Sequence, residues 1–96
     1  MFIIEFKPSF ERDVKAYLRH GGSKSRLDEV VNLLQSGLPL PDSLRDHTLV
    51  GRMRGVRELH VEHDWLLVYQ KDGKKLMITC IWLVTHKKLR ERERSM

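Results

Sequence analysis

The chain has 96 residues, 41% hydrophobic and 32% charged, with a formal net charge of +5 and a pI near 9.7. So short a chain cannot divide its apolar residues between two cores, so residues 1–96 are expected to form a single domain, and the composition excludes a disordered chain. The longest apolar run, Met77 to Val84 interrupted only by Thr79, is far shorter than the roughly 20 residues of a membrane span.

Phe2-Ile3-Ile4-Glu5-Phe6 is rich in β-formers and predicts a short strand. Pro8-Ser9 opens a helix with Ser9 as N-cap, and Phe10, Val14, Tyr17 and Leu18 recur at helical spacing until Gly21-Gly22 stops the pattern. Ser25 and Asp28 form a capping-box-like start to a second helix, whose apolar stripe of Leu27, Val30, Val31 and Leu34 ends at Gly37. Both stripes are core faces. Leu38-Pro39-Leu40-Pro41 cannot continue a helix, so a loop carries the chain through Asp46-His47 to Gly51.

Alternation then returns: Glu58, His60 and Glu62 fall on one side of a strand, Leu59 and Val61 on the other. Trp65 to Gln70 is a second strand, Asp72-Gly73 predicts a two-residue type I′ hairpin turn, and Lys75 to Thr85 is a long apolar strand, central in its sheet. The charged tail, about residues 87–96, is either a short helix or a disordered arm, and its cations suit the phosphates of a nucleic acid. The order is β-α-α-β-β-β, an α+β fold with two N-terminal helices packed on one face of a small, mainly antiparallel sheet. The other face stays open, and Glu58, His60 and Glu62 point to it.

Charge and histidine are concentrated in the second half. Residues 45–96 hold twelve basic and seven acidic side chains and the histidines His47, His60, His63 and His86. Cations draw phosphates close, and imidazoles move protons near neutral pH. The spacing His60-x-Glu62-His63-Asp64 is not that of a closed zinc site, and neither Ser36 nor Ser43 sits in a nucleophile elbow. No metal or other cofactor is expected. Metal-free RNA cleavage fits better, because the ribose 2′-hydroxyl is a built-in nucleophile. The protein then needs only a base, an acid and donors for the charge on the phosphate. With Cys80 the lone cysteine and no signal-peptide pattern at the N-terminus, a reducing cytoplasm and no membrane contact are expected.

Arg45-Asp46-His47-x-Leu49-x-Gly51, Gly55-x-Arg57-Glu58-x-His60-Val61-Glu62-x-Asp64-Trp65-x-Leu67-x-Tyr69 and Thr85-His86, with the Leu-Pro-Leu-Pro loop at 38–41, resemble the YafQ branch of the RelE/ParE toxin superfamily. The resemblance covers about residues 3 to 89. It implies a RelE/ParE-like compact ribonuclease fold and the toxin of a type II toxin–antitoxin pair. Such a toxin cleaves mRNA in the A site of the ribosomal 30S subunit without a metal, and a cognate antitoxin restrains it. Operator DNA is met only through the antitoxin complex.

Carried over by position, the resemblance selects His47, His60, Asp64 and His86 as the acid–base set, with Trp65 as the aromatic beside the carboxylate. Asp64 or His60 would activate the 2′-hydroxyl, His86 would protonate the leaving oxygen, and His47 would bind the scissile phosphate. His63 reads as a turn residue and Glu62 as a solvated one. Two positions depart from the family: Trp82 stands where an arginine is expected, and Arg90 where an aromatic is expected. Strand parity puts Trp82 in the cleft of His86, stacking on an unpaired base, while Arg90, Arg54 or Arg57 supplies the guanidinium. The alternatives are a non-enzymatic, ParE-like inhibitor and a degenerate member that binds only antitoxin and operator DNA.

Overall fold

The computed structural model of the chain describes residues 1–49 and 55–95, so Arg54 lies outside the described residues. Its sheet is mixed and five-stranded. The strands are β1 (Ile3–Phe6), β2 (His47–Thr48), β3 (Arg57–Glu62), β4 (Trp65–Asp72) and β5 (Met77–Thr85), in the order β1-β5-β4-β3-β2. The apolar β5 takes an interior place, parallel to β1 and antiparallel to β4. The two-residue β2, which pairs His47 with Glu58, has no signal in the sequence because its partner supplies all its order.

Helix α1 (Pro8–Arg19) and helix α2 (Lys24–Ser36) cover one face. Their buried Phe10, Tyr17, Leu27, Val30 and Leu34 pack on Leu59, Val61, Leu67, Tyr69, Ile78, Cys80 and Leu83 of the strands. Burial pushes the Cys80 thiol up to about 12, which makes it inert. Both helix starts lie two residues ahead of their expected caps. Lys7 is the N-cap of α1, with Pro8 at its first position, and Ser23 caps α2 by accepting from the Arg26 N–H at 3.1 Å. Ser9 is instead spent on the sheet. Strand β1 pairs with β5 only as far as Cys80, and beyond it α1 side chains take over the exposed edge: the Ser9 hydroxyl donates to the Ile81 carbonyl at 2.7 Å, and Asp13 accepts from the Leu83 N–H at 3.0 Å. Gly37 ends α2 at φ 75°, in the left-handed region that a glycine enters without cost.

The second face is not left open. The tail forms helix α3 (His86–Arg94), which lays Leu89 on Leu66, Val68 and Val84. Neither hairpin is plain. His63 and Asp64 make the two-residue turn between β3 and β4, with His63 at φ 44°, as expected of a turn residue. Between β4 and β5 the expected two-residue turn is replaced by a loop over 73–76. The Asp72 carboxylate accepts from the Lys74 and Lys75 N–H groups at 3.0 and 3.1 Å, and Leu76, not Gly73, takes the left-handed position at φ 53°. Asp72 therefore acts through its side chain, by an Asx turn, which outweighs the Asp-Gly preference.

Candidate active site

Cross-strand pairing sets one row of side chains above another on the α3 side of the sheet. His47 lies opposite Glu58, Glu58 opposite Val68, and Val68 opposite Trp82; in the next row His60, Leu66 and Val84 are aligned. The strand β5 ends at Thr85, whose hydroxyl accepts from the Lys88 N–H at 3.2 Å and starts α3. His86 is thus the first residue of a helix, beside the β3–β4 turn. Its ring centroid lies 5.3 Å from that of His60, with the planes tilted by 55°. The Asp64 carboxylate holds His86 Nδ1 and also accepts from the His86 backbone N–H at 3.4 Å. A carboxylate on Nδ1 fixes the tautomer and leaves Nε2 for a substrate. His60 and His86 line a cleft of ≈ 520 Å³ together with Arg26, Ser43, Arg45 and His63.

The electrostatics separate the two imidazoles. Burial, then the nearby charges of His86 and Arg45, hold His60 below the usual histidine range and keep it neutral. Asp64 is held below the usual carboxylate range, chiefly by its bond to His86, with Arg90 adding to the effect. A neutral imidazole therefore faces one whose orientation a carboxylate fixes, which is what separate base and acid roles require.

His47 stands just behind this pair. Its Nε2 lies 2.8 Å from the Glu58 carboxylate and its Nδ1 2.7 Å from the Arg45 carbonyl oxygen. Both ring nitrogens are therefore engaged by acceptors of the protein itself. Neither nitrogen is then left for a phosphate, and what His47 holds is the backbone of Arg45, a non-glycine residue at φ 52°. Arg45, which sequence reasoning passed over, joins Arg26 as a guanidinium of the cleft wall. Its signal was its place directly before Asp46-His47.

Other expected contributors lie elsewhere. Arg57 is on the opposite face, bonded to Asp46 at 2.7 Å and Thr48 at 2.8 Å, with Asp46 in turn held by the Tyr69 hydroxyl. Trp65 also turns to the helix side, edge-on to Tyr17 at 5.2 Å. A register shift between Val68 and Tyr69 falls on β5 ahead of Trp82, which keeps the α3 face but packs with Leu66, Val68 and Val84, away from the lining of the cleft. A second shift between His60 and Glu62 turns Glu62 from the solvated position expected of it. Its carboxylate accepts from the Ser23 N–H at 2.7 Å and the Tyr17 hydroxyl at 2.5 Å, which hold it below the carboxylate range. Arg90 is exposed on α3, one turn beyond His86. Among the described residues no three of His, Cys, Asp and Glu are grouped to hold a metal ion.

The same framework occurs in known proteins. Residues 3–91 match the family described as the bacterial toxin of type II toxin-antitoxin systems, YafQ. The chain belongs to that family. The mRNA interferase toxin YafQ of Escherichia coli strain K12 is 36% identical over 74 residues, 76% of this chain and 80% of that protein. Among solved structures, a metal-bound toxin from Helicobacter pylori superposes with a TM-score of 0.84 at 32% identity, covering 93% of this chain and 99% of that one. The E. coli DinJ-YafQ complex gives 0.81 at 30% identity, covering 93% and 98%. This YafQ-family toxin therefore has the expected fold, an α+β arrangement of helices on a mixed sheet.

Proposed function

We infer that this toxin is an mRNA interferase that cleaves by attack of a ribose 2′-hydroxyl on its own phosphate, with His60 as base and His86 as acid. The observation that carries the reading is the His60–His86 approach of 5.3 Å with Asp64 fixed on His86 Nδ1. His60, held neutral, takes the 2′-hydroxyl proton. The 2′-oxygen bonds to phosphorus, the P–O5′ bond breaks, and His86 Nε2 gives a proton to the departing O5′. The products are a 2′,3′-cyclic phosphate and a 5′-hydroxyl. Arg45 supplies charge to the phosphate, His47 and Glu58 hold the Arg45 turn, and Arg90 extends the positive rim beside Asp64. With His60 as base and His86 as acid, the proposed step calls for no metal.

Known partners of relatives extend the reading. E. coli YafQ has been solved in complex with DinJ, and a cognate protein antitoxin is the partner proposed for this chain, with operator DNA reached only through that complex. The substrate is mRNA in the ribosomal A site, to which the net charge of +5 is suited. No described helix is long and apolar enough to cross a membrane, in keeping with a cytoplasmic site of action.

The test uses toxin stripped of transition metal by EDTA and then added to programmed ribosomes in magnesium buffer. Cleavage of the A-site codon should leave 2′,3′-cyclic phosphate and 5′-hydroxyl ends, and a 2′-deoxy nucleotide at the scissile position should block it. Cleavage of the deoxy substrate, or activity that returns only with added transition metal, would refute the reading.

A further inference from the structure

Nine residues of helix are too few to hold themselves in water, and α3 buries only Leu89. Yet His86 is its first residue, so the place of the general acid depends on whatever fixes this helix. At the near end the Thr85 hydroxyl caps it. At the far end stands Arg92. Its two terminal nitrogens each donate to one oxygen of the Asp13 carboxylate at 2.8 Å, and its guanidinium carbon lies 5.2 Å from the centre of the Trp82 ring, over its face. Asp13 is buried on α1 and also accepts from the Leu83 N–H at 3.0 Å. One guanidinium thus joins α3 to α1 and to two successive residues of β5. A bidentate ion pair and a ring stack both restrict its orientation, which a lysine cannot reproduce.

We propose that Arg92, clamped between Asp13 and Trp82, is a positioning residue that holds α3 at the angle keeping His86 against Asp64 and His60. The role rests on the reading of His86 as acid. Trp82 then has a task particular to this chain. In place of the arginine that the resemblance implies, it is the platform for a guanidinium arriving from the tail. An arginine at 82 would set a second positive charge beside Arg92 and loosen the clamp. Without the clamp, α3 keeps its cap and Leu89 but pivots about Thr85, which displaces His86 and leaves the His47–Glu58 pair on the other side of the cleft untouched.

The experiment compares wild type with Arg92→Ala and Arg92→Lys in three measurements: amide hydrogen exchange, the side-chain nitrogen resonances of the histidines, and kcat and KM for A-site cleavage. Arg92→Ala should keep a cooperative melt. Its α3 amides should exchange roughly tenfold faster while those of β4 stay protected. The His86 ring resonances should move and those of His47 stay. Its kcat should fall roughly 10- to 100-fold at constant KM, with Arg92→Lys in between. If Arg92→Ala does not fold, Trp82→Leu decides, since it removes the stack and keeps the ion pair; an unshifted His86 ring in it overturns the clamp. So does wild-type kcat in folded Arg92→Ala, or loss of protection spread evenly over the molecule. Were wild type itself unable to cut mRNA, the exchange and resonance measurements would still judge the clamp, and only the functional reading would fall.

Discussion

On the helix side of the sheet, Asp13, Asp46 and Glu62 have their carboxylates bonded to backbone N–H groups, hydroxyls or guanidinia of neighbouring elements. On the α3 side, His60, His86 and Arg45 border a cleft, Asp64 is bonded to His86, and Asp64 and His86 are more than a third exposed. The same residue types thus serve two ends. Where a carboxylate is shut in by acceptor-seeking donors, it joins one element to another. Where it meets an imidazole at the rim, it sets the direction of a proton. The difference lies in what surrounds the group, and it predicts which substitutions cost stability and which cost activity.

The sharpest break in that comparison comes from His86→Ala or Asp64→Ala. Each should lower the A-site cleavage rate by roughly 10²- to 10⁴-fold and abolish growth arrest on expression while the fold stays intact, because both side chains sit at the rim. A toxic His86→Ala variant would end the division between the faces. Leu67→Ala on the helix side should do the reverse. Leu67 is fully buried, and its truncation should cost about 2–5 kcal/mol in denaturant unfolding, while the rate per folded molecule is retained. Tyr17→Phe is a gentler version. It takes a hydroxyl from Glu62 but leaves the Ser23 N–H, so a loss of about 1–2 kcal/mol is expected, again with activity retained.

The helix side was the more legible face, for the same reason that it is the drier one. Stripes at Phe10, Tyr17, Leu27, Val30 and Leu34 announce a core because burial demands periodicity. What escaped was set by pairing between distant segments. Alternation alone sends Glu62 out with His60, but the shift between them hands Glu62 to Tyr17 and Ser23. Parity likewise aims Trp82 at His86, yet the strand stops at Thr85, where a helix begins and takes His86 out of the strand's alternation. The four acid–base positions came from resemblance, and His60 alone was also indicated by its face. Arg45 and the Arg92–Asp13 pair carried no periodic signal, since one depends on a left-handed turn and the other spans 79 positions of sequence.

The pH dependence distinguishes the faces most finely, since it tests the environment of one ring. His60 acts as base only when neutral, and burial with the charges of His86 and Arg45 holds it below the usual histidine range. The acid limb of kcat/KM should therefore fall below about pH 6.5, the ordinary histidine value, and descend up to tenfold per unit beyond that point. Arg45→Gln removes one of the cations and should move the limb upward, though only in part, because burial is the larger cause. Stability follows the same sign. A group whose folded value lies under its unfolded one contributes most above the unfolded value and loses that contribution as pH drops through the folded one. His60 gives this loss in the mildly acid range, and Glu62 and Asp64, also held down, give theirs at still lower pH. Activity should accordingly fade first and reversibly, while the fold persists into the carboxylate range. An acid limb at or above the ordinary histidine value, or one unmoved by Arg45→Gln, would mean that the neutral ring in the cleft is not the group that takes the proton.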